Sequence, residues 1–154
     1  MGALLGIDLS VVPNMVANDA SALDLNLRTR VNQRPRPGQP ETVADFALLD
    51  GRQNLAQALL LRLLTPRGTL KSLGHESYGS RLHELVGRRK TEELRNLCRA
   101  FVLEAVAQEP RVEPKALSLE FELDQESFDN FAFTLSVASV TTGDPVALSL
   151  EVGL

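Results

Sequence analysis

The sequence has 154 residues, a length that fits one domain with a substantial hydrophobic core. Hydrophobic residues make up 44% of the chain and charged residues 23%, which argues against overall disorder, a collagen-like chain or a repeat array. The net charge of −4 argues against a nucleic-acid-binding surface, because phosphate contacts need clustered Lys and Arg that outweigh the acidic residues. We therefore expect a globular chain without a nucleic acid partner.

Cysteine content and apolar runs bear on the compartment. Cys98 is the one cysteine, so no intramolecular disulfide and no thiolate metal cluster can form, and a reducing compartment is expected. Residues 1–8 lack a basic n-region and Asp8 interrupts their apolar stretch, which argues against a signal peptide. No apolar run approaches the ~18 residues of a membrane span. The sequence predicts a protein made in the cytoplasm, with no membrane partner.

The chain divides at residues 32–40, where three prolines and a glycine predict a loop or linker. Before this point, apolar or β-branched residues alternate with polar ones, which predicts a strand with one buried face. These residues are Leu23, Leu25, Leu27, Thr29 and Val31. Residues 46–49 are a candidate partner strand. The sequence thus predicts an N-terminal arm and linker over residues 1–40 and one domain over residues 41–154.

Helical spacing of apolar residues predicts three helices. The first spans about residues 51–64 and is stopped by Pro66; its excess of leucine favours burial on two faces, inside a core or against a partner. A short helix is predicted near residues 81–86. The clearest helix spans about residues 91–108, with acidic residues in its first turn, where the helix dipole favours negative charge, and Pro110 beyond its end.

Beyond Pro110 the hydrophobic period changes to two, which predicts three strands. Their apolar positions are Leu117, Leu119, Phe121 and Leu123, then Phe131, Phe133, Leu135 and Val137, then Val146, Leu148, Leu150 and Val152. The connections are short enough for hairpins, so an α+β fold is predicted: helices packed on an antiparallel C-terminal meander, with an N-terminal strand-like arm. A last strand at the sheet edge would offer unpaired backbone groups to another chain.

Few residues are candidates for catalysis. Two histidines and two carboxylates lie close in sequence, at no standard metal-ligand spacing: His75, Glu76, His83 and Glu84. We predict no metal site and no other cofactor. Four glutamates could supply a lysozyme-like acid pair, although their spacing singles out no acid with its partner: Glu76, Glu84, Glu104 and Glu109. Cys98 lies on the apolar face of the third helix and is interpreted as a core residue.

Four stretches follow one another in a distinctive order: DGRQNLAQAL (50–59), RLLTPRG (62–68), YGSRLHELVG (78–87) and Glu109-Pro110-Arg111. In order and spacing they resemble the phage baseplate assembly protein W family, the lysozyme-named baseplate wedge proteins of contractile tails. The resemblance covers roughly residues 44–152. Residues 1–40 are less similar to that family, and no role is carried onto them.

The resemblance implies a structural, non-enzymatic role in the baseplate of a phage tail, an extracellular injection particle or a type VI secretion system. The implied partners are other wedge proteins and the sheath protein, with hub or tube proteins as further candidates. It assigns the wedge contact to Glu109, Pro110 and Arg111, and the sheath contact to the final strand, with Val146, Leu148, Leu150 and Val152. Alternatives are a local helix-end salt bridge at Glu109 and Arg111 and, for the whole chain, a muramidase-like hydrolase or a stand-alone binding module.

Overall fold

The computed structural model describes residues 6–9, 29–32, 43–46 and 48–154. In these residues the α-helices are α1 (Gly51–Leu64) and α2 (Glu92–Ala107). The strands are β1 (Ile7–Leu9), β2 (Thr29–Asn32), β3 (Val43–Phe46), β4 (Leu48–Asp50), β5 (Ser118–Phe121), β6 (Asn130–Ala138) and β7 (Pro145–Gly153). Single 3-10 turns span Lys71–Leu73, Leu82–Leu85 and Pro114–Ala116. The predicted α+β fold is confirmed.

Backbone contacts divide the chain into two units, Met1–Gln57 and Ala58–Leu154, with the boundary inside α1. The sequence-based boundary at residue 40 stays a prediction. Neither helix in the described part of the chain has the length and apolar character that a membrane span requires.

The first unit contains two antiparallel strand pairs, β1 with β4 and β2 with β3. Residues 29–32 of the predicted arm strand form β2, while residues 23–28 and the linker residues 33–40 lie outside the described residues. The predicted partner strand at residues 46–49 is divided: Phe46 pairs with Thr29, whereas β4 pairs with β1. An alternating pattern identifies the faces of a strand but not its neighbour, which accounts for this difference.

Helix α1 has the predicted bounds. The Thr65 N–H and hydroxyl both donate to the Leu61 carbonyl, at 3.0 and 2.7 Å, and Pro66 cannot extend the helical ladder. Leucines at helical spacing are buried: Leu55, Leu59 and Leu63. Leu64 is exposed, so the leucine excess of α1 is only partly covered within the chain.

Helix α2 also confirms its prediction. The Thr91 side chain caps the helix by accepting from the Leu94 N–H at 3.2 Å. One face of the helix is buried, with Leu94, Cys98, Phe101, Val102, Ala105 and Val106. The predicted short helix near residues 81–86 is instead a single 3-10 turn. It ends because Val86 is extended and Gly87 takes a left-handed backbone conformation.

The C-terminal sheet has the strand order β5-β6-β7 and is antiparallel throughout, which confirms the predicted meander. Four side chains of the central strand face the core and are fully buried: Phe131, Phe133, Leu135 and Val137. Phe121 of β5 packs edge-on against the first two, with ring centroids 5.8 and 5.9 Å apart. The Arg99 guanidinium of α2 donates to the Leu119 carbonyl of β5 at 2.8 Å, which joins the helix to the sheet.

Candidate functional site

The segments RLLTPRG and YGSRLHELVG meet at the C-terminal end of α1. Thr65 and Arg67 exchange backbone hydrogen bonds with Ser80: the Ser80 N–H donates to the Thr65 carbonyl and the Arg67 N–H donates to the Ser80 carbonyl, each at 2.8 Å. The buried Ser80 hydroxyl donates to the Leu63 carbonyl at 2.6 Å. These bonds satisfy backbone groups at a helix end that has no further helical partners.

Gly79 makes this approach possible. Its φ of +106° lies in the region that residues with a side chain rarely adopt. A Cβ atom at this position would lie 2.4 Å from the Thr65 carbonyl oxygen and 3.0 Å from the Arg67 nitrogen. The glycine is therefore required both for its backbone conformation and for the close contact of the two segments.

Glu109, Pro110 and Arg111 form the turn after α2. The Glu109 carboxylate is 6% exposed and accepts hydrogen bonds from Arg111 Nε at 2.6 Å and Nη2 at 3.2 Å. Pro110 is exposed, and the Arg111 side chain is partly exposed. The structure thus contains the local salt bridge that the sequence allowed as an alternative. The wedge contact of these three residues stays a prediction.

Arg62 of α1 connects this turn to Tyr78. Its guanidinium lies 4.5 Å from the centre of the Tyr78 ring, and its Nη2 lies 3.7 Å from a Glu109 carboxylate oxygen. Burial raises the pKa of the Tyr78 phenol. Burial alone would raise the pKa of Glu109, but the hydrogen bond and positive charge of Arg111, with the charge of Arg62, lower it overall. The resulting cluster, here called the Arg62 cluster, consists of Arg62, Tyr78, Glu109 and Arg111.

The same turn is bonded to the hairpin between β6 and β7. The Val140 N–H donates to the Arg111 carbonyl and the Glu113 N–H donates to the Ala138 carbonyl, both at 2.9 Å. Between them, Val112 forms an antiparallel bridge with Ser139. The two predicted contact regions, the Glu109–Arg111 turn and the last strand, are therefore connected through the backbone of one hairpin.

Strand β7 lies at one edge of the sheet and, among the described residues, pairs with β6 alone. Near both ends of β7, the backbone groups of even-numbered residues form hydrogen bonds on the side of β6. The Leu154 N–H donates to the Asp129 carbonyl at 2.7 Å, and the Asp144 carbonyl accepts from the Ser139 N–H at 3.2 Å. The register between these points is continuous, without a bulge.

Backbone groups alternate in direction along an antiparallel strand, so this register decides which residues face the open edge. The residues predicted from sequence direct their N–H and C=O groups toward β6: Val146, Leu148, Leu150 and Val152. Their side chains are buried or half-buried in this chain's own core. The groups that face outward belong to Ala147, Ser149 and Glu151, whose side chains are exposed. Sequence reasoning missed these three residues, although they alternate with the apolar ones.

The other sequence candidates do not form a reactive centre in the described part of the chain. His75 and His83 are exposed, and no group of three or more His, Cys, Asp or Glu side chains there could hold a metal ion. The candidate acids lie in separate ion pairs: Glu76 with Lys71, Glu84 with Arg81, Glu104 with Arg67, and Glu109 with Arg111. Cys98 is completely buried, and burial raises its pKa to about 12.

Comparison with known proteins adds one likeness at the level of the fold. No protein-family model matches the sequence, and no curated protein matches it. The structure is similar to the crystal structure of a candidate tail lysozyme from Geobacter sulfurreducens, with a TM-score of 0.55 and 20% sequence identity. The alignment covers 66% of this chain and 89% of that protein. The chain therefore shares the fold of that tail protein over most of the latter's length.

Proposed function

We propose that this protein is a structural component of the baseplate of a contractile tail or contractile injection system. It links wedge proteins to the first ring of the sheath and starts sheath assembly by sharing a strand. The observation that carries this proposal is the nine-residue strand β7, which has an open edge in the described structure. An added strand could pair with the outward backbone groups of Ala147, Ser149 and Glu151.

The central part of the β7 edge lacks the features by which sheets usually avoid such pairing. Edge strands are commonly protected by lysine, proline, bulges or a short length. Pro145 stands at the start of β7 and the outward-facing Glu151 lies near its end. Residues 146–150 between them contain neither proline nor a charged side chain, and the pairing with β6 has no bulge. The outward-facing Ala147 and Ser149 have small side chains, which favours the close approach of another strand over this part of β7. The edge is therefore suited to regular addition of a strand.

The Glu109–Arg111 turn is the proposed wedge contact. Its buried carboxylate and the two arginines fix the turn from inside, while Pro110 remains exposed at the surface. A partner would therefore meet a turn whose shape is set before binding, which lowers the entropy cost of association. A ring of baseplate subunits would repeat both contacts, so modest individual affinities would combine into a stable assembly.

The fold likeness supports an association with a tail. The name of the similar protein also makes a peptidoglycan hydrolase the alternative function. A lysozyme-type general acid needs a raised pKa so that it holds a proton near neutral pH. The hydrogen bond from Arg81 instead lowers the pKa of Glu84, and the pKa of Glu109 is also lowered. The other two candidate acids, Glu76 and Glu104, lie in ion pairs with Lys71 and Arg67. From these four side chains we infer that the chain is not an enzyme, and we expect the purified protein to leave peptidoglycan intact.

The test compares sheath formation in particles that differ at the edge of β7. Electron microscopy of particles from a strain without this protein should show naked tubes or no particles, and restoring the protein should restore the sheath. Ala147→Pro should also prevent sheath formation, because it removes an outward N–H while the bonds to β6 remain. Ala147→Ser keeps that N–H and serves as the matched control.

Fully sheathed particles in the absence of the protein would refute the baseplate role. Normal sheaths with folded Ala147→Pro protein would refute strand sharing alone. Clearing of peptidoglycan by the purified protein, abolished by Glu76→Gln or Glu84→Gln, would favour the hydrolase.

A further inference from the structure

The loop between β5 and β6, residues 122–129, displays an aromatic ring in solvent. Phe128 is 88% exposed and Leu123 on the same loop is 66% exposed. On the adjacent strands, by contrast, Phe121 packs edge-on against both Phe131 and Phe133. A single exposed apolar residue is ordinary on a protein surface, so exposure by itself does not identify a binding site.

This loop is fixed by bonds on both sides of Phe128. The Glu126 carboxylate, only 4% exposed, pairs with Arg95 at 2.8 Å and with Lys90 at 2.7 Å. The Lys90 ammonium also donates to the Ser127 carbonyl at 2.6 Å. On the other side, the Asp129 carbonyl accepts the Leu154 N–H at 2.7 Å.

The consequence is that the backbone on either side of Phe128 is held while its ring remains in water. An aromatic side chain has few rotatable bonds, so a ring on a fixed backbone loses little entropy when a partner covers it. Buried aromatic anchors of this kind contribute much of the binding energy in protein interfaces. In the described part of the chain, the exposed Phe128 ring makes no contact that would stabilise the fold.

Charge around the ring restricts the kind of partner. Residues 121–130 contain four acidic side chains and no Lys or Arg. Glu126 is compensated by Arg95 and Lys90, whereas Asp124 and Asp129 are exposed beside the apolar side chains and form no ion pair in the described structure. An acidic surface is repelled by anionic lipid headgroups and by nucleic acid. It is attracted to Lys and Arg at the rim of a protein pocket.

We propose that the β5–β6 loop is a docking element for a second protein, which receives the Phe128 ring in an apolar pocket rimmed by Lys or Arg. Leu123 extends the apolar contact, and Asp124 and Asp129 pair with the basic rim. The loop adjoins the C-terminal end of β7, where the Asp129 carbonyl accepts the Leu154 N–H, but the proposed contact uses the Phe128 ring and not the backbone edge at Ala147. It does not depend on which assembly holds the chain.

The test places a photo-cross-linking amino acid, p-benzoylphenylalanine, at position 128 of the full chain in the cells that produce it. We expect a cross-link to one other protein, and mass spectrometry should identify the cross-linked peptide near Lys or Arg residues. That protein, once purified, should bind Phe128→Ala roughly 30-fold or more weakly than the original chain. Leu73→Ala, which shortens another exposed apolar side chain, should bind normally. Asp124→Lys should weaken binding at low salt concentration, and its difference in affinity from the original chain should shrink as the salt concentration rises.

Phe128→Ala removes no buried side chain, so its thermal unfolding should match that of the original chain, and a loss of binding can be assigned to the ring. Equal affinity of Phe128→Ala for the identified protein would overturn the proposal. Cross-links confined to lipid would also overturn it. Cross-links confined to a second copy of this chain would do so as well; Arg88 and Arg89 are exposed in that copy and could attract the acidic loop. The absence of any cross-link would likewise overturn the proposal. Sheath formation is tested at β7 with a different variant, so a negative result at Phe128 leaves the proposed function unaffected.

Discussion

The contact between Gly79 and the end of α1 allows a quantitative prediction. Gly79→Ala introduces a Cβ atom 2.4 Å from the Thr65 carbonyl oxygen, whereas observed Cβ contacts essentially never fall below 3.0 Å. The methyl group cannot rotate away, because it is attached directly to the backbone. Either the Gly79 segment or the end of α1 must move, and the two 2.8 Å hydrogen bonds between Ser80 and the Thr65–Arg67 backbone lengthen as a result.

The expected cost has two parts. A residue with a side chain in the left-handed region costs about 1–2 kcal/mol. Weakening two backbone hydrogen bonds costs about 1 kcal/mol each, and a buried group left without a partner costs more. We therefore expect Gly79→Ala to lower the free energy of unfolding by about 3–4 kcal/mol. Gly87→Ala is the matched control, because Gly87 has a φ of +80° but a Cβ atom at that position would meet no atom within 4 Å beyond the adjacent residues. Its expected cost is about 1–2 kcal/mol.

Urea unfolding followed by circular dichroism measures both variants. With a slope near 2 kcal/mol per molar urea, the unfolding midpoint of Gly79→Ala should fall by roughly 1.5–2 M, and that of Gly87→Ala by less than about 1 M. Equal shifts for the two variants would show that the backbone conformation alone accounts for the cost. The close approach of Gly79 to α1 would then have no energetic role, and the reasoning would be wrong.

Three further predictions concern buried polar groups. Ser80→Ala removes the hydroxyl bond to the Leu63 carbonyl and should lower the free energy of unfolding by about 1–2 kcal/mol in the same urea assay. The pKa of Glu109 is lowered in the folded chain, so its stabilisation is present above the ordinary carboxyl pKa and is lost as the pH falls through the lowered one. Glu109→Gln should cost about 2 kcal/mol at pH 7, the scale of a charge-assisted hydrogen bond, because Arg111 loses the carboxylate. It should also flatten the fall of stability in acid, as measured by urea unfolding at several pH values. The Cys98 thiol, buried and with a pKa of about 12, should react with a thiol reagent at pH 8 only after denaturant is added.

The elements that could be predicted from sequence are those whose pattern is long and whose ends are marked. Helices α1 and α2 each carry leucine or other apolar residues at helical spacing over several turns, and Pro66 and Pro110 follow their ends. The segment at residues 81–86 has too few residues for periodicity to separate an α-helix from a 3-10 turn. The pairing of β4 with β1 depends on residues distant in sequence, which a local alternating pattern does not identify.

The candidate site shows the same limit at the level of single residues. The sequence predicted a last strand with one apolar face, and β7 has that face. The residues of the open edge could not be named, because the direction of an N–H group follows from the register with β6 and not from the side chain. In the same way, the sequence does not mark Phe128 as exposed, because phenylalanine is usually a core residue. The neighbouring Glu126 forms its ion pairs with residues more than thirty positions earlier, and a local pattern does not identify such contacts.

The Arg62 cluster and the open edge of β7 use different residues, and this separates two kinds of perturbation. Ser80 and Gly79 fix the end of α1, Arg62 extends from α1 to the Glu109–Arg111 turn, and Arg111 accepts a hydrogen bond from the hairpin that begins β7. Changes in the Arg62 cluster should therefore alter stability and the placement of the hairpin together. Ala147→Pro should affect strand addition with little effect on the cluster. Variants in the Arg62 cluster and Ala147→Pro could both prevent sheath formation. Only the cluster variants should then also show a marked loss of folding stability, because only they remove buried charge pairs.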